Sequence, residues 1–257
     1  MDRVGRRAGE ATRPAPAGGV AVVIPARDEA ERIGDTVRSA YTLPGVDMVV
    51  VVDDGSRDAT AQLGEEAGAV VRRHRRNRGK GAALETGAAA VAASDVAGDT
   101  AAARNLLFLD ADLGRSARYA GPLLAPVQRG EVDMTVAVLP PQRRVDGRVP
   151  GGRGRVVRLS RAGIERATGW TPTQPLSGQR CLTREAFEAA RPLAYGFGVE
   201  TALTVDLLHR GYRVVEVSVP LEHRVSAADL SGRVHRARQY AHVGWALLRR
   251  RRRRRPR

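Results

Sequence analysis

Apolar residues in this chain fall into short uniform runs separated by stretches of helical spacing. Val20 to Ile24 is a β-branched run stopped by Pro25, and Asp28 then opens a segment whose apolar positions Ile33, Val37 and Ala40 recur at helical intervals. Met48-Val49-Val50-Val51-Val52 is too uniformly apolar for a half-exposed strand, so it belongs centrally in a parallel sheet. The turn Asp53 to Thr60 leads into a helix reaching about Ala67, and Ala69 to Arg72 reads as a third strand. Asn77-Arg78-Gly79-Lys80-Gly81 then turns into an Ala-rich helix, Ala82 to Ala93. After a polar loop from Asp95 to Arg104, the run Leu106 to Leu109 is a strand buried on both faces, with Asp110-Ala111-Asp112 where it leaves the sheet.

The second half continues the pattern less regularly. A helix near Ala117 to Gln128 precedes a strand at Asp133 to Leu139, and Pro140 to Gly154 is a Gly-, Pro- and Arg-rich loop without periodicity. Val156 to Ala167 reads as a helix, and Leu176 to Thr183 as a strand or turn around Ser177-Gly178-Gln179-Arg180. Gly198 to His209 reads as a helix, and Arg213 to Val219 as a strand ended by Pro220. A last helix, Ser231 to Leu248, carries an apolar stripe at Val234, Ala237, Ala241, Trp245 and Leu248, opposite Arg233, Arg236 and Tyr240. Strand and helix alternating with short connections predicts an α/β fold with a doubly wound sheet. Such sheets bind ligands beyond the carboxyl ends of their strands, where Asp53, Asp54, Asp110 and Asp112 all fall.

Four segments follow: a leader at 1–19, one α/β domain at 20–230, the amphipathic helix at 231–248, and an arginine tail at 249–257. The formal charge of +15 invites a nucleic-acid reading, but eight arginines sit in the last nine residues, and without them roughly +7 remains. With 4% aromatic residues and no basic-aromatic interleaving, a stacking platform for single strands is not expected. The tail and amphipathic helix leave two readings, a solvated end or peripheral contact with an anionic membrane face. A lone cysteine, Cys181, excludes an intrachain disulfide framework, and the first eighteen residues lack the apolar core of a secretory signal. These features point to a cytoplasmic enzyme.

Residues two apart in extended chain point the same way, so Asp110 and Asp112 can serve one site. Hard oxygen ligands of this kind suit Mg²⁺ or Mn²⁺, which commonly binds one or two carboxylates together with substrate phosphates. By itself an Asp-x-Asp pair at a strand end is as readily a solvated turn.

Taken together, Ile24-Pro25-Ala26-Arg27-Asp28-Glu29, Val52-Asp53-Asp54-Gly55-Ser56 with Asp58 and Thr60, Asn77-Arg78-Gly79-Lys80-Gly81, Asp110-Ala111-Asp112 and Gly198-Val199-Glu200 resemble the family 2 glycosyltransferases. The resemblance covers roughly Val20 to His223 and implies a single GT-A-type, Rossmann-like domain with a mostly parallel central sheet flanked by helices. It implies a hexosyl group moving from a UDP- or GDP-linked donor to an acceptor hydroxyl, the acceptor being a phosphorylated small molecule or a polyprenyl phosphate. Pro25, Arg27 and Glu29 would line the nucleotide, Asp53 would read the nucleobase, and Arg78 and Lys80 would approach the donor. Many relatives have Asn where this chain has Asp28. Asp112 would bind the metal, Asp110 would face the ribose or a metal-bound water, and His223 resembles a further metal ligand. Glu200 resembles a general base, and Gln179 and Arg180 stand where relatives contact the acceptor. In such an enzyme the Pro140 to Gly154 loop would close over the donor. Two rivals stay open: a sugar-phosphate nucleotidyltransferase, whose early Gly-x-Gly-x-Arg segment is missing here, and a non-enzymatic membrane or nucleic-acid adaptor using the basic tail.

Overall fold

Seven strands form one sheet, as the alternation of apolar runs and helical segments requires. The computed structural model describes residues 18–98, 102–140, 154–194, 196–221 and 244. The strands are β1 (Val20–Ala26), β2 (Val46–Asp53), β3 (Val70–Arg73), β4 (Asn105–Phe108), β5 (Met134–Val138), β6 (Arg180–Leu182) and β7 (Val214–Ser218), in spatial order β3-β2-β1-β4-β6-β5-β7. β6 runs antiparallel to β4 and β5. The other pairings are parallel.

Helices cover both faces, which is why the central strands are apolar at every position. Val22, Ile24, Val49, Val51 and Leu107 pack with Ile33 and Val37 of α1 (Ile33–Ala40) and with Leu123 and Leu124 of α4 (Gly121–Gln128). The alternate residues Ala21, Val23, Val50, Val52, Leu106 and Phe108 face α3 (Lys80–Ala97), α6 (Arg184–Ala190) and α7 (Val199–His209) through Leu84, Val91, Phe187 and Leu203. Each large aliphatic side chain removed from water in this way contributes roughly 1.5 to 3 kcal/mol. The remaining helices are α2 (Thr60–Glu66) and α5 (Arg155–Thr168).

The structure departs from the sequence pattern in four places. β1 does not stop at Pro25 but continues to Ala26, with Pro25 opposite Val52. Val23 accepts from Leu109 N on the β4 side, and that ladder ends at the Val23–Phe108 rung. Pro25, two residues on, faces the same side beyond that rung, so its missing N–H breaks no ladder bond. Asp28 does not open α1: it takes a left-handed φ of 54°, a conformation that Asp and Asn tolerate better than most residues. Ala111–Ala120 forms 3-10 turns broken at Gly114 (φ 53°) rather than loop and α-helix, and Pro122 occupies the first turn of the α-helix that follows. α6 has no counterpart in the sequence reading. Its signal was Thr183, whose side chain accepts from Ala186 N as an N-cap, and Phe187 anchors it edge-on against Phe108 at 5.8 Å. The leader up to residue 17, the loop at 141–153, His223, and the arginine tail lie outside the described residues, as does the helix expected at 231–248 apart from Gly244.

Candidate active site

The carboxyl ends of β1, β2 and β4 put their loops on one lip of the sheet. The loops after β1 and β2 are clipped together: Asp28 N donates to Ser56 Oγ (3.0 Å), Glu29 N to Thr60 Oγ1 (2.8 Å), Ala30 N to Asp58 Oδ2 (3.1 Å), and Arg57 N to Asp28 Oδ1 (2.8 Å). Asp28 therefore works as an acceptor within the clip. Ser56 serves as a brace between loops rather than as a helix cap.

Asp53, at the end of β2, is fully buried. Its Oδ1 accepts from Ser56 N at 2.7 Å, whereas its buried Oδ2 has no hydrogen bond. Arg73 Nε lies 3.0 Å from Oδ2 in an ion pair whose geometry does not make a hydrogen bond, and that arginine is 61% exposed. An open groove of 710 Å³ lies here, lined by Arg27, Gly55, Ser56, Arg57 and Arg73 to Asn77. A buried carboxylate oxygen without a donor suits a ligand N–H entering from outside.

The neighbouring Asp54, one of the four carboxylates at the strand ends, organises the basic turn. Its Oδ1 accepts from Arg78 N (2.8 Å) and is 2.7 Å from His74 Nδ1, while Oδ2 accepts from Gly79 N (2.8 Å). His74 Nε2 is in turn 2.9 Å from Thr86 Oγ1 on α3. These bonds hold the backbone of residues 78 and 79, with Gly79 at φ 89°, so that Lys80 enters the site as the first residue of α3.

Lys80 is the centre of the charged cluster. Its Nζ donates to Asp110 Oδ1 at 2.7 Å and lies 3.1 Å from Glu200 Oε1 in the first turn of α7. Burial works against the ammonium, but Asp110 and Glu200 outweigh it and push its pKa above the ordinary lysine value. Gln179 Nε2 donates to Asp110 Oδ2 at 2.6 Å, and Ser177 Oγ donates to Gln179 Oε1 at 3.1 Å. Gly178 backs the same carboxylate so closely that a Cβ there would fall 2.8 Å from both Asp110 oxygens and would collide with Lys80 Nζ.

Two acceptor-side expectations need correcting. Gln179 is 1% exposed and its amide holds Asp110, so it acts on the site from beneath. Arg180 is also 1% exposed, and its donors are taken by Ser177 O (2.8 Å), Pro175 O (3.1 Å), Glu200 O (3.1 Å) and Thr204 Oγ1 (2.8 Å). The guanidinium makes four hydrogen bonds to protein oxygens and so braces the site from within rather than lining an exposed acceptor surface. Burial pulls its pKa down to about 10, against the opposing pull of Glu200, Glu216 and Asp110, and it stays charged at neutral pH.

Asp112 follows Asp110 on the same lip. Its backbone is fixed from α1 and the turn before it: Arg32 Nη1 donates to Asp112 O (3.0 Å), and Thr36 Oγ1 donates to Ala111 O and accepts from Gly114 N, both at 2.8 Å. Arg32 and buried Thr36 are further supports that the sequence reading did not pick out. Among the described residues no group of three or more His, Cys, Asp or Glu side chains gathers as a metal cage. Pro25 is half-buried, Glu29 joins the loop clip through its backbone, and the Arg78 side chain is exposed.

Fold and lip together define a doubly wound α/β protein whose candidate ligand site lies at the carboxyl ends of its strands. Comparison with known proteins narrows the class: the sequence model of Glycosyl transferase family 2 matches residues 21–189, and the chain belongs to that family. It is 32% identical over 214 residues to Glycosyltransferase AglJ of Haloferax volcanii, covering 82% of this chain and 65% of that protein's length. It is 30% identical over 244 residues to the glucosyl-3-phosphoglycerate synthase of Mycolicibacterium paratuberculosis, covering 88% and 68% of the two chains. Among solved structures, glucosyl-3-phosphoglycerate synthase from Mycobacterium tuberculosis in complex with Mn²⁺, uridine diphosphate and phosphoglyceric acid superposes with a TM-score of 0.72 at 25% identity, covering 91% of this chain and 78% of that one. The same enzyme in complex with Mg²⁺ and uridine diphosphate gives 0.71 at 26% identity over 91% and 79%. These likenesses identify the seven-stranded domain as a GT-A fold. No helix among the described residues is long and apolar enough to cross a membrane.

Proposed function

We propose that this chain transfers a hexosyl group from a UDP-linked donor to a hydroxyl of a phosphate-bearing acceptor, with Mg²⁺ or Mn²⁺ at the donor diphosphate. The observation that carries the reading is the gathering of Asp110 and Glu200 about one ammonium, 2.7 and 3.1 Å from Lys80 Nζ, on the strand-end lip, in a chain of this family. The bound uridine diphosphate, metal and phosphoglyceric acid of the solved neighbours support the choice of base, ion and acceptor class.

Each side chain has a role its position suits. Asp53 Oδ2, ion-paired with Arg73 of the groove wall but without a hydrogen-bond donor, would suit the single ring N–H of uracil; guanine would present two adjacent donors. Arg27 lines the same groove, and Pro25 and Glu29, at and just beyond the end of β1, would line the nucleotide with it. Lys80, kept cationic by its two carboxylates, can turn toward the donor diphosphate, with Arg78 beside it. Asp110, fixed by Gln179 and Gly178, faces the ribose side.

The donor set also fits the ion. Asp112 supplies a hard oxygen ligand next to where a diphosphate would lie, which suits Mg²⁺ or Mn²⁺ bound with few protein ligands, and His223 would add a nitrogen. Such an ion, when bound, neutralises charge on the departing nucleoside diphosphate. Glu200, its side chain 13% exposed in the first turn of α7 and 3.1 Å from Lys80 Nζ, would accept the acceptor hydroxyl's proton as that oxygen attacks the anomeric carbon. Peripheral contact of the arginine tail with an anionic membrane belongs to the proposal as well. Salt-sensitive sedimentation with anionic vesicles, lost on deleting residues 249–257, would support it.

The test is turnover of UDP-hexoses with Mn²⁺ titrated, with and without 3-phosphoglycerate. Metal-dependent sugar transfer supports the reading, and absence of turnover with any UDP-hexose defeats it.

A further inference from the structure

Among the described residues, Arg180 is a buried cation without a direct carboxylate partner. An arginine with nothing to do would be costly there, because a desolvated charge must recover its lost hydration from well-placed acceptors. Arg180 recovers it from protein oxygens on two separate segments. Nε and Nη2 hold the carbonyls of Ser177 and Pro175, in the turn that leads to Gly178 and Gln179. Nη1 holds Glu200 O and Thr204 Oγ1 in the first turns of α7, and Thr204 Oγ1 also donates to Glu200 O at 3.0 Å.

The two segments bear the groups that grip the site's charged pair from opposite sides. From the turn, Gln179 and Gly178 fix Asp110; from α7, Glu200 meets Lys80. We infer that Arg180 is a positioning residue that sets the spacing between Asp110 and Glu200 by bolting the 175–179 turn to the start of α7. The planar fork is what the task needs, since it aims donors in fixed, divergent directions, whereas an ammonium is a single point. A displacement of about 1 Å in such a constellation can cost on the order of a hundredfold in rate.

The kinetic part of this inference rests on the sugar-transfer reading, so the experiment has an arm that does not. Arg180→Lys keeps the charge and loses the fork; Thr204→Val keeps the shape and loses one link. Folded variants, checked by circular dichroism, are compared with wild type by hydrogen exchange of the peptide covering residues 199–204, by kcat for UDP-hexose turnover, and by UDP affinity with Mn²⁺. The tether predicts exchange at least about fivefold faster in Arg180→Lys, kcat at least about tenfold lower, and UDP affinity within about threefold, because no bond from Arg180 reaches the Asp53 groove. Unchanged exchange overturns it, and so does a kcat within about twofold of wild type despite faster exchange. If Arg180→Lys does not fold, Thr204→Val is judged by the same criteria. A wild-type chain that turns over no UDP-hexose defeats the sugar-transfer reading, and the exchange result then decides the tether by itself.

Discussion

Lys80 and Glu200 meet with Nζ 3.1 Å from Oε1, so the first residue of α3 and the first turn of α7 share one charged contact. Asp110 takes the same ammonium at 2.7 Å. One cation therefore separates two carboxylates that would otherwise repel across the site. Lys80→Met leaves both without it. Because Lys80 is 29% exposed and the contact is partly screened, the expected cost is about 1 to 2 kcal/mol of stability, below that of breaking a fully buried pair. The expected loss of turnover is at least roughly a hundredfold, since the remaining charge repels the donor diphosphate. Urea unfolding and steady-state kinetics check the two effects separately.

The same cluster sets a pH dependence. The folded-state pKa of Lys80 lies above its unfolded value, so its contribution to stability is complete below about 10.4, the ordinary lysine value, and fades only as pH climbs through the folded one. The stability difference between wild type and Lys80→Met should therefore stay flat from about pH 7 to 9. A difference that shrinks steadily across that window would mean that the lysine loses its proton far earlier than its two partners imply.

Gly178 has no side chain because there is no room for one. Ala at this position would put a Cβ 2.8 Å from both Asp110 oxygens and into Lys80 Nζ. The lysine tip can swing away only by giving up Asp110 and Glu200, and Asp110, held by Gln179, cannot move without losing that bond. Gly178→Ala should remain folded, with a fall in melting temperature of a few degrees and a loss of about tenfold or more in kcat/KM. Near-wild-type kcat/KM would show that Asp110 need not stay where it is.

Glu200→Gln keeps volume and removes the base. UDP affinity should change by less than about threefold while kcat falls by about a hundredfold or more, the range a positioned base supplies. Parallel losses of affinity and turnover would make Glu200 a binding group instead.

What could be seen in the sequence follows from local chemistry. Uniform β-branched runs such as Val49 to Val52 announce strands covered on both faces, and Asp53 and Asp110 at their ends announce the lip. What could not be seen depends on contacts between distant segments. Gln179 reaches Asp110 from 69 residues away, and His74 sits 20 residues from Asp54, so neither pairing leaves a periodic trace. A polar Ser-Gly-Gln-Arg turn reads as surface until β6 is found antiparallel inside the sheet, burying Gln179 and Arg180 beneath the site. Pro25 misled for a similar reason, because only the end of the β4 ladder shows that its missing N–H costs nothing.

The central claim is that one ion and one nucleotide share the lip formed by Asp53, Lys80, Asp110 and Asp112. Isothermal titration of the wild-type chain with UDP, with and without Mn²⁺, measures it most directly when repeated on Asp112→Ala and Asp53→Asn. The account predicts Mn²⁺-dependent binding, loss of that dependence in Asp112→Ala, and affinity at least about tenfold weaker in Asp53→Asn. Binding that is indifferent to Mn²⁺ and to both substitutions would contradict it.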